Sequence, residues 1–158
     1  MNAPPRDVLL RDDGIVLRIV AGDDPVLRDV AALCYETLHR PFGVSRNDAW
    51  NEMDGRSAHL VALDGGRLAG YARLIGEGRA AHVRQVVVDP AHRQRGIGSE
   101  LVAALVDEAG RLGYARVYLN ARRNAVPMYE RLGFRVAGES FRMGRTYLPH
   151  VRMEHTLR

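Results

Sequence analysis

Hydrophobic residues follow two periods along this chain, and the change between them predicts the order of its elements. Apolar and β-branched residues alternate or run together in four early segments, residues 15–20, 59–63, 68–75 and 80–88, as is typical of strands. The turn sequences Asp64-Gly65-Gly66 and Gly76-Glu77-Gly78 separate the last three segments. We therefore predict a meander of antiparallel strands in the first half of the chain.

A helical period follows the last of these segments. Its apolar residues recur three or four positions apart, at Ile97, Leu101, Val102, Leu105, Val106, Ala109 and Leu112. Gly113 predicts the end of this helix and residues 116–120 predict the next strand, so residues 80–120 form a predicted β-α-β unit. A shorter apolar stripe over residues 26–38 predicts an earlier helix, which begins at Asp24 and ends before Pro41.

The C-terminal part of the chain adds a short helix and a hairpin. Asn124 can cap a helix that holds Tyr129 and ends at Gly133, and residues 134–136 and 151–157 predict two paired strands. We therefore predict a single α/β (α+β) domain over residues 15–158, with a mixed, mostly antiparallel sheet of about six to seven strands and about four helices. Residues 1–14 are expected to be a flexible N-terminal segment.

A basic, glycine-bearing turn joins the strand at Val88 to the long helix, and it reads Arg93-Gln94-Arg95-Gly96-Ile97-Gly98. The first turn of a helix has N–H groups without partners and partial positive charge, and glycine lets a phosphate approach them. We therefore predict a pyrophosphate site. A dinucleotide fingerprint needs a third glycine where this chain has Leu101, and an NTPase loop needs a lysine, which the chain lacks.

The remaining pattern, Arg93 with Gly96 and Gly98, resembles the signature Q/R-x-x-G-x-G/A of the GCN5-related N-acetyltransferases. The segment from Tyr129 to Phe134 is similar to the Y-E-x-x-G-F segment of that family. The resemblance covers roughly residues 15–158 and implies transfer of an acetyl group from acetyl-CoA, the donor substrate, to a primary amine of a small molecule or peptide. Within the family, three further segments look most like the ElaA-like branch: residues 84–86, 119–122 and 149–153.

The resemblance also implies which residues hold acetyl-CoA. The strand residues Val86, Val87 and Val88 are expected to hold the pantetheine arm through backbone hydrogen bonds, and the amide of Val86 or Val88 to face the thioester carbonyl. The pyrophosphate is expected on the turn, at Arg93, Gln94, Arg95, Gly96, Ile97, Gly98 and Ser99. Many relatives have asparagine seven residues before the tyrosine, where this chain has Arg122, so Asn124 is considered as a cofactor contact as well as a helix cap.

Two candidates for the catalytic residues follow. Tyr129 matches the tyrosine that protonates the departing CoA thiolate in many members, and the alternative is a packing role in a short helix. His82 is a candidate general base, because strand alternation would place His82, Arg84, Val86 and Val88 on one face. A structural role for His82 is the alternative, and the other candidate bases are Glu77, Glu139 and His150.

The acceptor wall is predicted to come from residues 40–54 and 139–149. Ser45 and Asp48 form a capping-box-like pair that predicts a short helix in the first segment. Its candidate acceptor contacts are Arg40, Phe42, Trp50 and Asp54, although the two aromatic residues can instead pin the segment onto the sheet. Both segments mix charges with aromatic rings, so a polyamine, an amino acid, an antibiotic and a peptide N-terminus all remain open as acceptors.

The composition limits the kinds of partner and the compartment that we expect for this chain. The single cysteine, Cys34, lies on the apolar stripe of a predicted helix, which indicates a buried structural thiol and a cytoplasmic setting. No apolar run is long enough for a membrane span, and no H-x-x-H pair indicates a metal. The net charge of +4 comes from arginines that are scattered along the chain, so no nucleic-acid partner is expected.

Two alternative functions stay open at this stage. One is a non-catalytic acetyl-CoA-binding or interaction module of the same fold, and the other is a nucleic-acid-binding protein that uses the positive charge. A homodimer is also compatible with the sequence, because the final strand is expected to offer a free edge.

Overall fold

The computed structural model describes residues 4–42, 57–139, 141–142 and 149–157. These residues form nine strands: β1 (Arg6–Leu10), β2 (Val16–Val20), β3 (Ser57–Asp64), β4 (Arg67–Glu77), β5 (Ala80–Val88), β6 (Arg116–Arg122), β7 (Arg135–Val136), β8 (Phe141–Arg142) and β9 (Pro149–Thr156). They also form three α-helices: α1 (Leu27–Cys34), α2 (Ile97–Arg111) and α3 (Val126–Arg131). The α/β class is confirmed. The strands that the sequence did not predict are β1, which is largely exposed, and β8, whose two residues carry no periodic signal.

The strands form one mixed sheet in the order β1-β2-β3-β4-β5-β6-β9-β7, with β8 also paired to β9. Only β5 and β6 are parallel among the described pairs, as the predicted β-α-β unit requires. The final strand β9 lies between β6 on one side and β7 and β8 on the other, so the prediction that it offers a free edge is wrong. The segment expected to be flexible, residues 1–14, contains β1, which pairs with β2.

The helices cover both faces of the sheet. On one face, α2 and α3 pack on the larger core, which contains Ile97, Leu101, Leu105, Tyr129 and Phe134. The other face, called here the α1 face, carries a smaller core of Val20, Leu27, Val30, Cys34, Val61, Tyr71 and Val87. Burial raises the pKa of the Cys34 thiol to about 12, which fits the predicted structural role.

The stripe predicted to form one helix over residues 26–38 is divided in the structure. After α1 the chain continues as a π-helical segment, Tyr35–His39, and a 3₁₀ turn, Arg40–Phe42. The second short helix predicted around Ser45 and Asp48 lies outside the described residues. At the end of α2, Gly113 has a φ of +90°, in agreement with its predicted role as the helix stop.

Candidate active site

The strands β5 and β6 separate soon after they begin. They pair only at Ala80 with Arg116, Ala81 with Val117 and His82 with Tyr118. On its other side β5 remains paired to β4 as far as Val88, which is opposite Gly70. From Val83 onward, the edge of β5 that faces β6 therefore has no strand partner among the described residues. Backbone N–H and C=O groups on such an edge are free to bind an extended chain.

A β-bulge at Gln85 and Val86 directs this separation. These two residues of β5 lie opposite one residue of β4, Ala72, because Tyr71 pairs with Val87 while Arg73 pairs with Arg84. Gln85 has a φ of +58°, which is uncommon for a residue other than glycine. A bulge bends its strand and shifts the phase of its side chains.

The bulge overturns the predicted common face of β5. Val86 and Val88 pack against the core under α2, whereas Val87 belongs to the core of the α1 face. The extra residue in the strand shifts the alternation, so His82 and Arg84 share the α1 face with Val87 and not with Val86 and Val88. The prediction that the four side chains point the same way is therefore wrong.

The glycine turn opens directly onto this gap. Gly96 is the N-cap residue of α2, has a φ of +76°, and has no heavy atom within 4 Å of where a Cβ would lie. A Cβ added to Gly98 would lie 3.6 Å from Val88 Cγ2, beside the strand. No side chain caps the helix, so its first N–H groups keep their donors for a ligand.

The charge around the turn fits an anionic ligand. Arg93 and Arg95 are exposed, and neither pairs with a carboxylate among the described residues. The backbone carbonyl of Arg95 accepts a hydrogen bond of 2.8 Å from the Arg11 guanidinium, which anchors the turn to the β1–β2 connection. The open space, the uncapped helix and the two arginines together fit the pyrophosphate of a CoA molecule.

A buried histidine braces the same turn, and sequence reasoning did not single it out. His92 Nδ1 lies 2.8 Å from Asp89 Oδ2, and Nε2 lies 2.9 Å from Asp64 Oδ2. The hydrogen bonds to Asp64 and then Asp89 raise the pKa of His92, since both favour the protonated ring. His92 thereby ties the β3–β4 hairpin to the turn.

Tyr129 lies in α3, on the face of the sheet that α2 also covers. It is 8% exposed and belongs to the same apolar core as Val86 and Val88. Its ring packs edge-to-face on Phe134, with 5.9 Å between centroids. Burial raises the pKa of the phenol, so the hydroxyl stays protonated at neutral pH and can donate a hydrogen bond.

Asn124 lies in a 3₁₀ turn, Arg123–Ala125, between β6 and α3. The N-cap residue of α3 is Ala125, and no side chain caps the helix. The interpretation of Asn124 as a helix cap is therefore wrong, because the 3₁₀ turn moves the start of the helix one residue along. A contact between Asn124 and the cofactor stays a prediction.

The α1 face carries a polar cluster around His82. The His82 ring stacks on Tyr118, with 4.3 Å between centroids and an interplanar angle of 13°. The Tyr118 hydroxyl donates a hydrogen bond to Glu77 Oε2, and Glu77 Oε1 lies 3.9 Å from His82 Nδ1. Arg152 covers the Tyr118 ring, with its guanidinium carbon 4.0 Å from the centroid. Burial first, and then the charge of Arg84, lower the pKa of His82 to about 4.

A second polar group on this face was missed by sequence reasoning. His59 Nδ1 and the Tyr71 hydroxyl share a buried hydrogen bond of 2.7 Å. Arg73 is 4% exposed and donates to Ser57 Oγ at 2.9 Å and to Gln85 Oε1 at 3.5 Å. The available signal was a polar residue inside an apolar strand, as His59 and Arg73 both are.

The remaining predicted residues lie away from this cluster or outside the described residues. Arg40 pairs with Glu36 at 2.8 Å. His150 is buried at the start of β9, opposite Arg122 and beside Phe141. Trp50 and Asp54 lie outside the described residues, and so does the side chain of Phe42.

Two negative findings concern only the described ranges. None of the helices there is both long and apolar enough to cross a membrane. No three or more His, Cys, Asp or Glu side chains in those ranges are grouped so that they could hold a metal ion. The absence of a metal in the mechanism stays a prediction.

Comparisons with known proteins agree with this geometry. A family model described as an acetyltransferase (GNAT) domain matches residues 29–157. An uncharacterized N-acetyltransferase of Bacillus subtilis, YjcF, is 27% identical over 135 residues, which cover 85% of this chain and 96% of that protein. The crystal structure of Escherichia coli ElaA matches with a TM-score of 0.68 and 19% identity over 89% of this chain and 99% of that chain. An aminoglycoside 6'-N-acetyltransferase in complex with coenzyme A matches with a TM-score of 0.72 and 21% identity, over 89% and 97% of the two chains.

Proposed function

The chain belongs to the GNAT acetyltransferase family, and from that premise we propose that it transfers the acetyl group of acetyl-CoA to a primary amine of a small molecule or peptide. The observation that carries the proposal is the parting of β5 and β6 after three paired positions, directly beside the uncapped N-terminus of α2. A thioester bound there supplies an activated acetyl group. The chain's own residues must hold it, stabilise negative charge and move protons.

The donor site that we propose is mainly backbone. Val86, Val87 and Val88 offer the free edge of β5 to the pantetheine amides. The pyrophosphate would lie on the first turn of α2, where Gln94, Gly96, Ile97, Gly98 and Ser99 supply backbone groups and Arg93 and Arg95 supply charge. Asn124, at the opposite side of the gap on the β6–α3 connection, is retained as a further contact.

Tyr129 is the proposed general acid. Because burial raises its pKa, the phenol keeps its proton throughout the neutral range and can give it to a thiolate as the thiol leaves. Its position in the core shared with Val86 and Val88 places it on the side of the sheet that carries α2 and α3.

His82 is the proposed general base on the opposite face. With a pKa lowered to about 4 it is neutral at pH 7, and a neutral imidazole can accept a proton from an amine. The Tyr118 ring stacks on His82, and Glu77 Oε1 lies 3.9 Å from His82 Nδ1. Glu77 stays the alternative base. The same low pKa makes His82 a weak base, and this observation favours the second candidate function, a module that binds acetyl-CoA without catalysis.

The first experiment is the shift in melting temperature with acetyl-CoA, compared with CoA lacking the 3′-phosphate and with NAD. A ligand that binds only the folded state must stabilise it by mass action. We expect a clear rise with acetyl-CoA, little with NAD, and then release of free thiol when an amine is added. A rise without thiol release over a broad amine screen would favour the binding module. No rise well above micromolar concentration would contradict both functions. The cytoplasmic setting, the homodimer and the ElaA-like branch stay predictions.

A further inference from the structure

Arg84 occupies a distinctive place on the α1 face. It lies two residues after His82 and immediately before the bulge, where β5 has already parted from β6. Its charge acts on both His82 and Tyr118, so the guanidinium is close to the proposed base and to the ring that supports it. An amine that approached His82 would therefore meet Arg84.

The neighbouring charges on this face are already engaged. Glu154 pairs with Arg152 at 3.2 Å, and Glu77 accepts the hydrogen bond of Tyr118. Arg73, opposite Arg84 in the β4–β5 ladder, donates to Ser57 and Gln85. Among the described residues, no carboxylate pairs with the Arg84 guanidinium.

This makes Arg84 unlike the chain's other arginines. Every other arginine whose side chain the structure describes is either exposed or bonded to a side chain, as in the pairs of Arg6 with Glu108 and Arg18 with Asp7. Arg84 is half-buried and lacks such a pair in the described part of the chain. A partly desolvated cation without a counter-charge is unfavourable, and a bound anion would remove that cost.

We propose that the acceptor is a primary amine that also carries a carboxylate or a phosphate group, and that Arg84 binds this anion. The proposal rests on the proposed acetyltransferase function. The guanidinium offers a planar pair of donors that suits either group. A polyamine would bring only positive charge next to Arg84 and is disfavoured.

Anion binding would also assist the base. Five groups act on His82 or on its support: Arg84 from β5, Glu77 from β4, Tyr118 from β6, and Arg152 and Glu154 from β9. The positive charge of Arg84 disfavours protonation of His82, and an anion on Arg84 would offset that charge. The acceptor itself would thus raise the basicity of His82, so that catalysis favours acceptors that carry the anion.

The test uses two pairs of amines, and in each pair only the first member carries an anionic group. The pairs are glucosamine 6-phosphate with glucosamine, and 4-aminobutanoate with 4-aminobutanamide. Thiol release gives kcat/KM for the wild-type chain, for Arg84→Gln and for Arg67→Gln, an exposed arginine at the far end of β4. A charge-assisted bond of ~1.5–3 kcal/mol corresponds to a preference of roughly 10- to 100-fold for the anionic member of at least one pair. Which pair shows the preference tells phosphate from carboxylate.

We expect Arg84→Gln to abolish the preference, Arg67→Gln to keep it, and both to keep the acetyl-CoA melting shift. A preference for the uncharged members, or one that survives Arg84→Gln, would overturn the proposal. If none of the four amines reacts, their melting shifts in the presence of CoA decide instead: equal shifts in wild type and Arg84→Gln would overturn it too. Failure of the proposed function is distinguishable, because the wild-type chain and both variants alike would then lack either the acetyl-CoA shift or thiol release with every amine of the broad screen.

Discussion

The proposed donor side and the proposed acceptor side of this molecule are built in different ways. The proposed donor side is a single stretch, residues 86–99, which offers glycines, a helix N-terminus and a strand edge without a partner among the described residues. The proposed acceptor side is assembled from side chains on β4, β5, β6 and β9, among them Glu77, His82, Tyr118 and Arg152. Backbone recognition tolerates change in side chains, whereas a side-chain cluster does not. We infer that the donor is common to relatives and that the acceptor face sets specificity.

The two sides also treat charge in opposite ways. The arginines of the turn are exposed, and His92 beside them has a raised pKa because two aspartates favour its charged form. On the acceptor face, burial and Arg84 lower the pKa of His82 to about 4, so this ring is neutral. This contrast in charge can be tested by substitutions on each side, and the amine pairs described above test the role of Arg84.

The largest expected effect is that of Tyr129→Phe. Loss of the proton donor should lower kcat by about 100-fold or more, while acetyl-CoA still raises the melting temperature. Tyr114→Phe, the same change in a half-buried tyrosine before β6, is the matched control and should keep kcat. Equal kcat for Tyr129→Phe and wild type across the pH range would show that Tyr129 only packs in the core.

A smaller effect is expected when the donor turn is filled. Gly98→Val would press against Val88, since a Cβ there already lies 3.6 Å from Val88 Cγ2, and it would narrow the phosphate approach. We expect the dissociation constant of acetyl-CoA to rise by ~10-fold or more, from a steric cost of about 1–3 kcal/mol.

Gly110→Val in the same helix is the control, because a Cβ at Gly110 meets nothing within 4 Å. It should leave acetyl-CoA affinity unchanged in an isothermal titration. If both variants bound acetyl-CoA like the wild type, the turn would not be the phosphate site.

The stability of the donor turn should depend on pH through His92. Its pKa is raised in the folded chain, so its contribution is complete below the unfolded value of about 6.5 and is lost as pH rises through the folded value. His92→Gln should therefore lower the free energy of unfolding more at about pH 5.5 than at about pH 9. The difference should be only on the order of 1 kcal/mol, because the aspartates are partly exposed. An equal loss of stability at both pH values would show that the ion pairs of His92 do not contribute.

The smallest effect is expected at His82, where the dependence of stability on pH has the opposite sign to that of His92. Its folded pKa of about 4 lies below the unfolded value of about 6.5, so the unfolded chain binds more protons and stability falls as pH drops through this window. His82→Asn removes this pH-dependent contribution to stability. Thermal unfolding at pH values between about 4 and 7 should show a shallower loss of melting temperature in the variant, and a steeper one would contradict the buried neutral ring.

Much of the fold was predictable because its signals are local. The alternating strands, the helix from Ile97 and the stop at Gly113 agree with the structure, and membership of the acetyltransferase family is confirmed. The strand β1 was missed because Arg6–Leu10 is largely exposed and gains its hydrogen bonds only by pairing with β2. The edge predicted for β9 was wrong because β9 pairs with β6 as well as with its predicted partner β7, and pairing between strands far apart in the chain leaves no local signal.

The proposed donor turn could be predicted from the sequence because its residues are contiguous, and the structure places its glycines at the uncapped start of α2, as that pattern requires. The acceptor face could not, since its geometry depends on the bulge at Gln85. That bulge arises where two residues of β5 oppose one residue of β4, a mismatch set by the pairing of distant segments. It turns His82 and Arg84 away from Val86 and Val88. Long-range strand register therefore fixed the face on which the proposed base and anion site meet.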